Sequence, residues 1–438
     1  MTAQPTFIQR QLARVSKVEP QEAAAVLAAF FLFFFVLGSY FAVRPVRETI
    51  GTLLGRAYVA DLWLYTALFS IAIVPIYGWL VGHVRRSILL PSVYGFVAVV
   101  MVGIGISLSA DESNRATGAF FYVFISVLNL MLVSVFWSFL LEMFSSEQTK
   151  RLFGFIAAGG TLGALIGPLT TRLFAEAIGT SGILYIGAAG FVGAILCQRI
   201  LLGIWKPQQV VAASATAAGV ARGTDKAVGG NPFAGITIVL KSPYLLGIAS
   251  FVVLLSTANT ILYFEQLRIV EETFSETSRR TEVFANIDLI VQSLTIFTQL
   301  FLTGRIASKL GVRALLTFLP IAMVFGFLML AAFHAFAVLA VVFVLRRWGE
   351  YAFIRPGREM LFSKLDTEAK YKAKNFIDVP VYRAADYVGA QAKTAIDALT
   401  MSPTVAVLIG AVLAGIWAFN GWMLGKKHDR PVEPKTRH

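Results

Sequence analysis

Arg44 and Arg47 stand three residues apart at the end of a long apolar run, and Arg346 and Arg347 stand side by side inside another. An ionised side chain near the middle of a bilayer costs about 3 kcal/mol or more, so such residues mark functional sites. Arginine suits an anionic ligand, because its planar fork gives two parallel hydrogen bonds to a phosphate or carboxylate. A nucleotide polyphosphate carries several negative charges, and Arg44, Arg47, Arg346 and Arg347 together would match it. Arg346 and Glu350 are four apart, the spacing of an intrahelical ion pair, which leaves Arg347 pointing elsewhere. Arg383 and Asp386 are three apart, in a run that also carries Asp378 and Lys393. Arg355 and Glu359 have the i, i+4 spacing too, with Arg358 beside them, but Pro356-Gly357 bends or interrupts the helix there.

The anion-binding candidates are therefore Arg44, Arg47, Asn129, Arg346, Arg347, Glu350 and Arg383. Glu48, Glu265, Arg355, Arg358, Glu359, Asp378 and Asp386 are the candidates for pairing or gating. The plain alternative is a set of fixed pairs between helices, but arginine exceeds the acids in the first and tenth runs. Asp288 has no basic residue at helical spacing, beside Asn286 and Gln292, and is the candidate for proton coupling. The four histidines fall in loops or the tail, so no metal site is expected. No Walker-type glycine loop occurs, which argues against ATP hydrolysis. Neither an enzyme nor a cofactor is expected.

The elements that position these residues follow from composition. Of 438 residues, 57% are hydrophobic and only 14% charged, against about 25% charged in a soluble domain. With a mean hydropathy of +0.72, an ordinary cytosolic enzyme is excluded. Cys197 is the single cysteine, so no internal disulfide can form. Apolar runs at Ala23–Val43 and at about 62–84, 87–109, 117–141, 152–171, 179–200, 244–264, 283–303, 314–333, 335–355, 374–395 and 402–424 predict an all-α integral membrane fold with twelve spans. The net charge of +13 reads as topology, not as nucleic-acid binding. Arg85, Arg86, Lys150, Arg151, Lys206, Arg222, Lys226, Arg305, Lys309, Arg313, Lys364, Lys426 and Lys427 fall on one side of a twelve-span plan and are joined by Arg10, Arg14 and Lys17, which places both termini in the cytoplasm. The longest outer loop is expected at Glu265 to Glu282, and Arg44, Arg47 and Arg56 lie beyond the end of the first run. Residues 206–240, rich in Ala, Gly, Ser and Val, read as a cytoplasmic linker between six-helix bundles at 1–205 and 241–438.

Gly78 to Arg86 and Gly304 to Arg313 repeat a glycine-to-basic loop after the second and eighth runs. These loops resemble the helix 2–3 and helix 8–9 motif of the major facilitator superfamily, with Gly82 and Ser308 where the motif has an acid. Gly159, Gly163 and Gly167 share one face of the fifth helix, which predicts close backbone contact. A sharper resemblance is carried by Arg44-Pro45-Val46-Arg47-Glu48-Thr49-Ile50 and by Tyr351, Pro356, Arg358, Glu359, Met360, Leu365, Asp366, Glu368, Lys370, Lys372, Lys374, Ile377, Asp378 and Val379. In order and spacing these are similar to the ATP/ADP antiporter (nucleotide transporter) family. Phe136-Trp137 to Phe153 matches the family's helix 4–5 connection more loosely. Two positions depart from the pattern. Ser126 and Asn129 stand where the family has a helix 4 glutamate, and Asp386 stands near its helix 11 lysine.

The resemblance implies two six-helix bundles of major facilitator type and alternating access around a basic central cavity. The expected function is secondary transport of an organic anion, a nucleotide or other phosphorylated solute, by exchange or proton coupling across an inner membrane. The expected partners are that anion, membrane lipid and protons. The alternatives are a proton-coupled exporter of another small molecule using Asp288, and a non-transporting membrane receptor or scaffold.

Overall fold

The computed structural model describes residues 19, 21–84, 86–111, 114–144, 146–205, 234–299, 304–362, 373–374, 376–400 and 402–429. Regular structure among them is helical throughout. The linker reading at Lys206–Asn231 and the basic residues Arg10, Arg14, Lys17, Arg85 and Lys364 lie outside the described residues.

Among the described residues twelve long helices run in chain order. They are α1 (Ala23–Leu54), α2 (Arg56–His83), α3 (Arg86–Ala110), α4 (Arg115–Met143), α5 and α6 (Ser146–Ile204, broken at Gly179), α7 (Pro243–Thr273) and α8 (Thr277–Thr298). After these come α9 (Gly304–Ala332, broken at Gly311), α10 (Phe336–Gly349, Glu350–Ile354 and Arg355–Leu361), α11 (Ile377–Val381 and Tyr382–Thr400) and α12 (Pro403–Asp429). A short helix, Ala234–Lys241, precedes α7. Hydropathy and length alone identify most of these as spans, the segment Arg151–Ile204 holding two of them; α8, α10 and α11 fall short. Those three carry most of the charges that the sequence singles out, the others being Arg44, Arg47 and Glu48 on α1 and Glu265 on α7.

Two helices run further than the apolar runs predict. α1 does not stop at Val43 but passes through Pro45 to Leu54, so Arg44 and Arg47 lie within it. Val43, Val46 and Ile50, at helical spacing, are buried and carry the helix past the proline. α7 does not end at Glu265 but continues to Thr273, which replaces most of the expected outer loop with helix. Leu267, Ile269 and Val270 keep its apolar face buried. The connection to α8 is only residues 274–276. At the other end of α7, Ser242 caps the helix by accepting from the Leu245 N–H, with Pro243 in the first turn.

The glycine face of α5 lies against the backbone of α1. A Cβ on Gly163 would meet the Phe34 carbonyl oxygen and lie 2.8 Å from the Gly38 nitrogen. One on Gly167 would lie 2.5 Å from the Gly38 oxygen. One turn on, Thr171 donates to the Ala42 carbonyl at 2.6 Å. The expected close approach is therefore built by this spacing of small residues. α5 passes directly into α6 at Gly179, whose φ of 67° is a conformation glycine reaches without strain. At the start of α1, Glu22 receives Arg151 at 2.8 Å and 2.9 Å and Gln148 at 2.8 Å. Burial raises its proton affinity, but the hydrogen bonds from Arg151, Gln148 and the Glu19 backbone more than offset this and hold the carboxyl below the usual glutamate range.

The Gly304–Arg313 segment, expected as a loop, is helical up to the break at Gly311; it lacks the acid of the motif it resembles, and α12 supplies one. The Val312 and Arg313 N–H groups donate to the Asp429 carboxylate, each at 3.1 Å, just after the turn at Gly311. Asp429 thus caps the main part of α9.

By contact the described residues form two units. One holds those of Met1–Leu53, Ala72–Lys226 and Glu276–Leu289; the other holds those of Leu54–Ile71, Ala227–Ser275 and Ile290–His438. The start of α8 therefore groups with the first unit, and the start of α2 with the second.

Candidate functional site

In the first unit, α1 presents Arg44 and Arg47 on one face, three residues apart in an unbroken helix. Arg47 donates to Ser126 of α4 at 3.2 Å and contacts Glu48. Its guanidinium lies over the Tyr122 ring, 5.6 Å from the centroid, a placement that favours cation–π attraction. Asn129, one turn beyond Ser126 on α4, has a buried Oδ1 with no hydrogen bond among the described residues. Arg44 approaches Asp288 of α8 at 3.9 Å. Asp288 is thus not isolated: its basic neighbour comes from a helix far away in sequence, where helical spacing could not show it. The same two helices meet again where Thr49 and Thr281 share a hydrogen bond of 2.8 Å and Arg280 donates to Thr52 at 2.9 Å.

In the second unit, α10 buries Arg346, Arg347 and Glu350. Arg346 donates to Glu350 at 3.0 Å, the expected i, i+4 pair. The guanidinium groups of Arg346 and Arg347 lie 5.1 Å and 5.7 Å from the Phe343 centroid. The expected Arg355–Glu359 pair does not form. Residues Glu350–Ile354 wind as a π-helix, and π winding brings residues five apart onto one face. Arg355 accordingly meets Glu350, at 3.3 Å, and Glu359 pairs with Lys374 at 2.6 Å. A second π-turn, Ile377–Val381, carries Asp378, which faces Arg358 at 3.4 Å. π-turns inside helices are frequent at functional sites. Arg383 approaches Asp386 at 3.6 Å, and Ser256 of α7 donates to Asp386 at 2.5 Å.

Glu265 belongs to a cluster that is largely absent from the sequence reading. Its carboxylate is fully buried, takes Arg268 at 2.5 Å and faces Lys393 of α11 at 3.0 Å. Lys393 in turn donates to Asp397 at 2.5 Å. The local pairs have i, i+3 and i, i+4 spacing, so each was visible in the sequence; the link between α7 and α11 was not.

No family model matches the chain, and no curated protein matches it. Solved structures do. A bacterial homologue of the human lysosomal transporter Spinster matches with a TM-score of 0.61 at 11% identity, over 95% of this chain and 100% of that one. The nucleoside transporter NupG gives 0.60 at 13%, over 92% and 98%. A POT family peptide transporter gives 0.63 at 14%, over 94% and 99%. At these identities the likeness shows the fold: an all-α membrane protein of major facilitator type, twelve helices in two bundles.

Proposed function

We propose that this chain is a secondary active transporter of an organic anion, a nucleotide or other phosphorylated solute, working by alternating access. It sits in a bacterial-type inner membrane with both termini cytoplasmic, organised as bundles 1–205 and 241–438 joined by 206–240. The observation that carries this reading is the placement of arginines within membrane helices of both units: Arg44 and Arg47 on α1, Arg346 and Arg347 on α10, and Arg383 on α11. Aromatic rings flank four of these five, so their planar forks are held in place. That arrangement suits oxyanions, whose charge repays the desolvation of the guanidinium groups. The nucleotide choice adds the similarity of Arg44–Ile50 and Glu350–Val379 to the ATP/ADP antiporter family; residues 363–372 and 375 of that stretch lie outside the described residues. NupG, a nucleoside transporter, has the same fold.

The test is a thermal-shift screen of the purified protein against ATP, ADP, sugar phosphates, dicarboxylates and uncharged nucleosides. A ligand at 100 times its Kd adds about 2.7 kcal/mol of stability. Phosphorylated compounds are expected to raise Tm, with little response to nucleosides, and Arg347→Ala is expected to remove the rise. A shift with nucleosides alone, or with no phosphorylated compound, would overturn the reading.

A further inference from the structure

Asp386 differs from Glu265 and Glu350, the buried glutamates of α7 and α10. Glu265 and Glu350 each accept hydrogen bonds from a guanidinium. Asp386 takes its hydrogen bond from the neutral Ser256 hydroxyl at 2.5 Å, while the Arg383 guanidinium stands at 3.6 Å, an electrostatic contact without a hydrogen bond. The groups around it are few. Its own helix brings Arg383 and Tyr382, α7 brings Ser256, and α10 brings Glu350 and Arg346 within electrostatic reach. α12, which also packs on α11, has no ionisable side chain from Pro403 to Gly425. The Asp386 side chain keeps 16% of its surface accessible and that of Arg383 31%, so neither is sealed inside packed protein.

We propose that Asp386 is the proton-binding carboxylate of the transporter, and that it couples the anion site to the proton gradient by competing with substrate for Arg383. With Asp386 ionised, Arg383 is drawn to it. A proton delivered from water neutralises Asp386, removes a like charge near Glu350, and leaves Arg383 to the phosphate oxygens of the anion. Loss of the proton restores the Arg383–Asp386 attraction and favours release. Anion and proton are therefore bound together. This rests on the anion-transport reading above and names its coupling ion. It assigns the role to Asp386 and not to Asp288, whose side chain is only 5% exposed against 16% for Asp386.

Two measurements test it separately. In proteoliposomes loaded with a pH-sensitive dye, ADP uptake by the wild type is expected to bring protons in with it. In Asp386→Asn, proton entry per ADP taken up is expected to fall to background, and Asp386→Glu restores it with a shifted pH profile. An unchanged proton-to-ADP ratio in Asp386→Asn would overturn the proposal. Without any ligand, infrared difference spectra across a pH step are expected to show a carboxylic-acid carbonyl band that Asp386→Asn abolishes and Asp386→Glu moves. Persistence of that band in Asp386→Asn would overturn the proposal too. If the wild type carries no phosphorylated anion, the transport reading falls, and the infrared band still decides whether Asp386 takes up the proton.

Discussion

Lys393→Ala is expected to destabilise the protein by about 3–5 kcal/mol, the cost of breaking a buried ion pair from one side. The Lys393 side chain is only 2% exposed and its ammonium lies between Glu265 and Asp397. Its removal leaves the fully buried Glu265 with one cationic partner, Arg268, which is itself shared with Glu272. A buried carboxylate cannot recover its hydration, so the desolvation cost already met in the native state loses its compensation. Removing both charges at once, in Lys393→Ala with Glu265→Gln, should recover part of the loss, because Glu265 is then no longer a charge without its Lys393 partner. Thermal melting in detergent of the two single variants and the double variant measures this. Additive losses in the double variant would mean that the two side chains do not depend on each other.

Gly163→Leu is expected to have a comparable effect through geometry. The first carbon of any side chain there already collides with the Phe34 carbonyl of α1, and that atom cannot rotate away as a side chain could. Overpacking in a well-packed interior costs about 1–3 kcal/mol where side chains can yield. Against backbone the cost lies at or above the upper end, and the expected readout is a lost or strongly lowered melting transition. Gly154 is the internal control, since a Cβ there has nothing within 4 Å. Gly154→Ala should be neutral or stabilise α5 by about 0.5–1 kcal/mol, the ordinary difference between these residues in a helix. Equal melting temperatures for Gly163→Leu and Gly154→Ala would contradict the α1–α5 contact.

These two sites also show what the sequence could reveal. The Gly159, Gly163 and Gly167 face was legible because spacing along one helix says which residues share a side, whatever the helix meets. The bundle architecture was legible for the same reason, as long apolar runs leave a chain few other folds. The ends of α1 and α7 were not. Charges normally mark the edge of a span, so Arg44 and Glu265 looked like helix ends. Both helices continue because buried apolar residues on the same face outlast the charges. The Arg346–Glu350 pair was legible as an α-helical spacing, whereas Arg355–Glu350 depends on a π-turn, which nothing in the local sequence announces. Arg44–Asp288 and Glu265–Lys393 join distant helices, and only the fold brings them together.

The central claim is that the membrane-embedded arginines serve a transported phosphorylated anion. Counterflow tests it most directly. Proteoliposomes preloaded with unlabelled ADP are placed in trace labelled ADP, and the label inside is followed over time. The account predicts a transient accumulation of label above equilibrium that ATP or ADP outside suppresses, that adenosine does not, and that Arg47→Ala and Arg347→Ala each abolish. An accumulation unaffected by either substitution, or no accumulation with ADP or with any other phosphorylated solute used in its place, would contradict it.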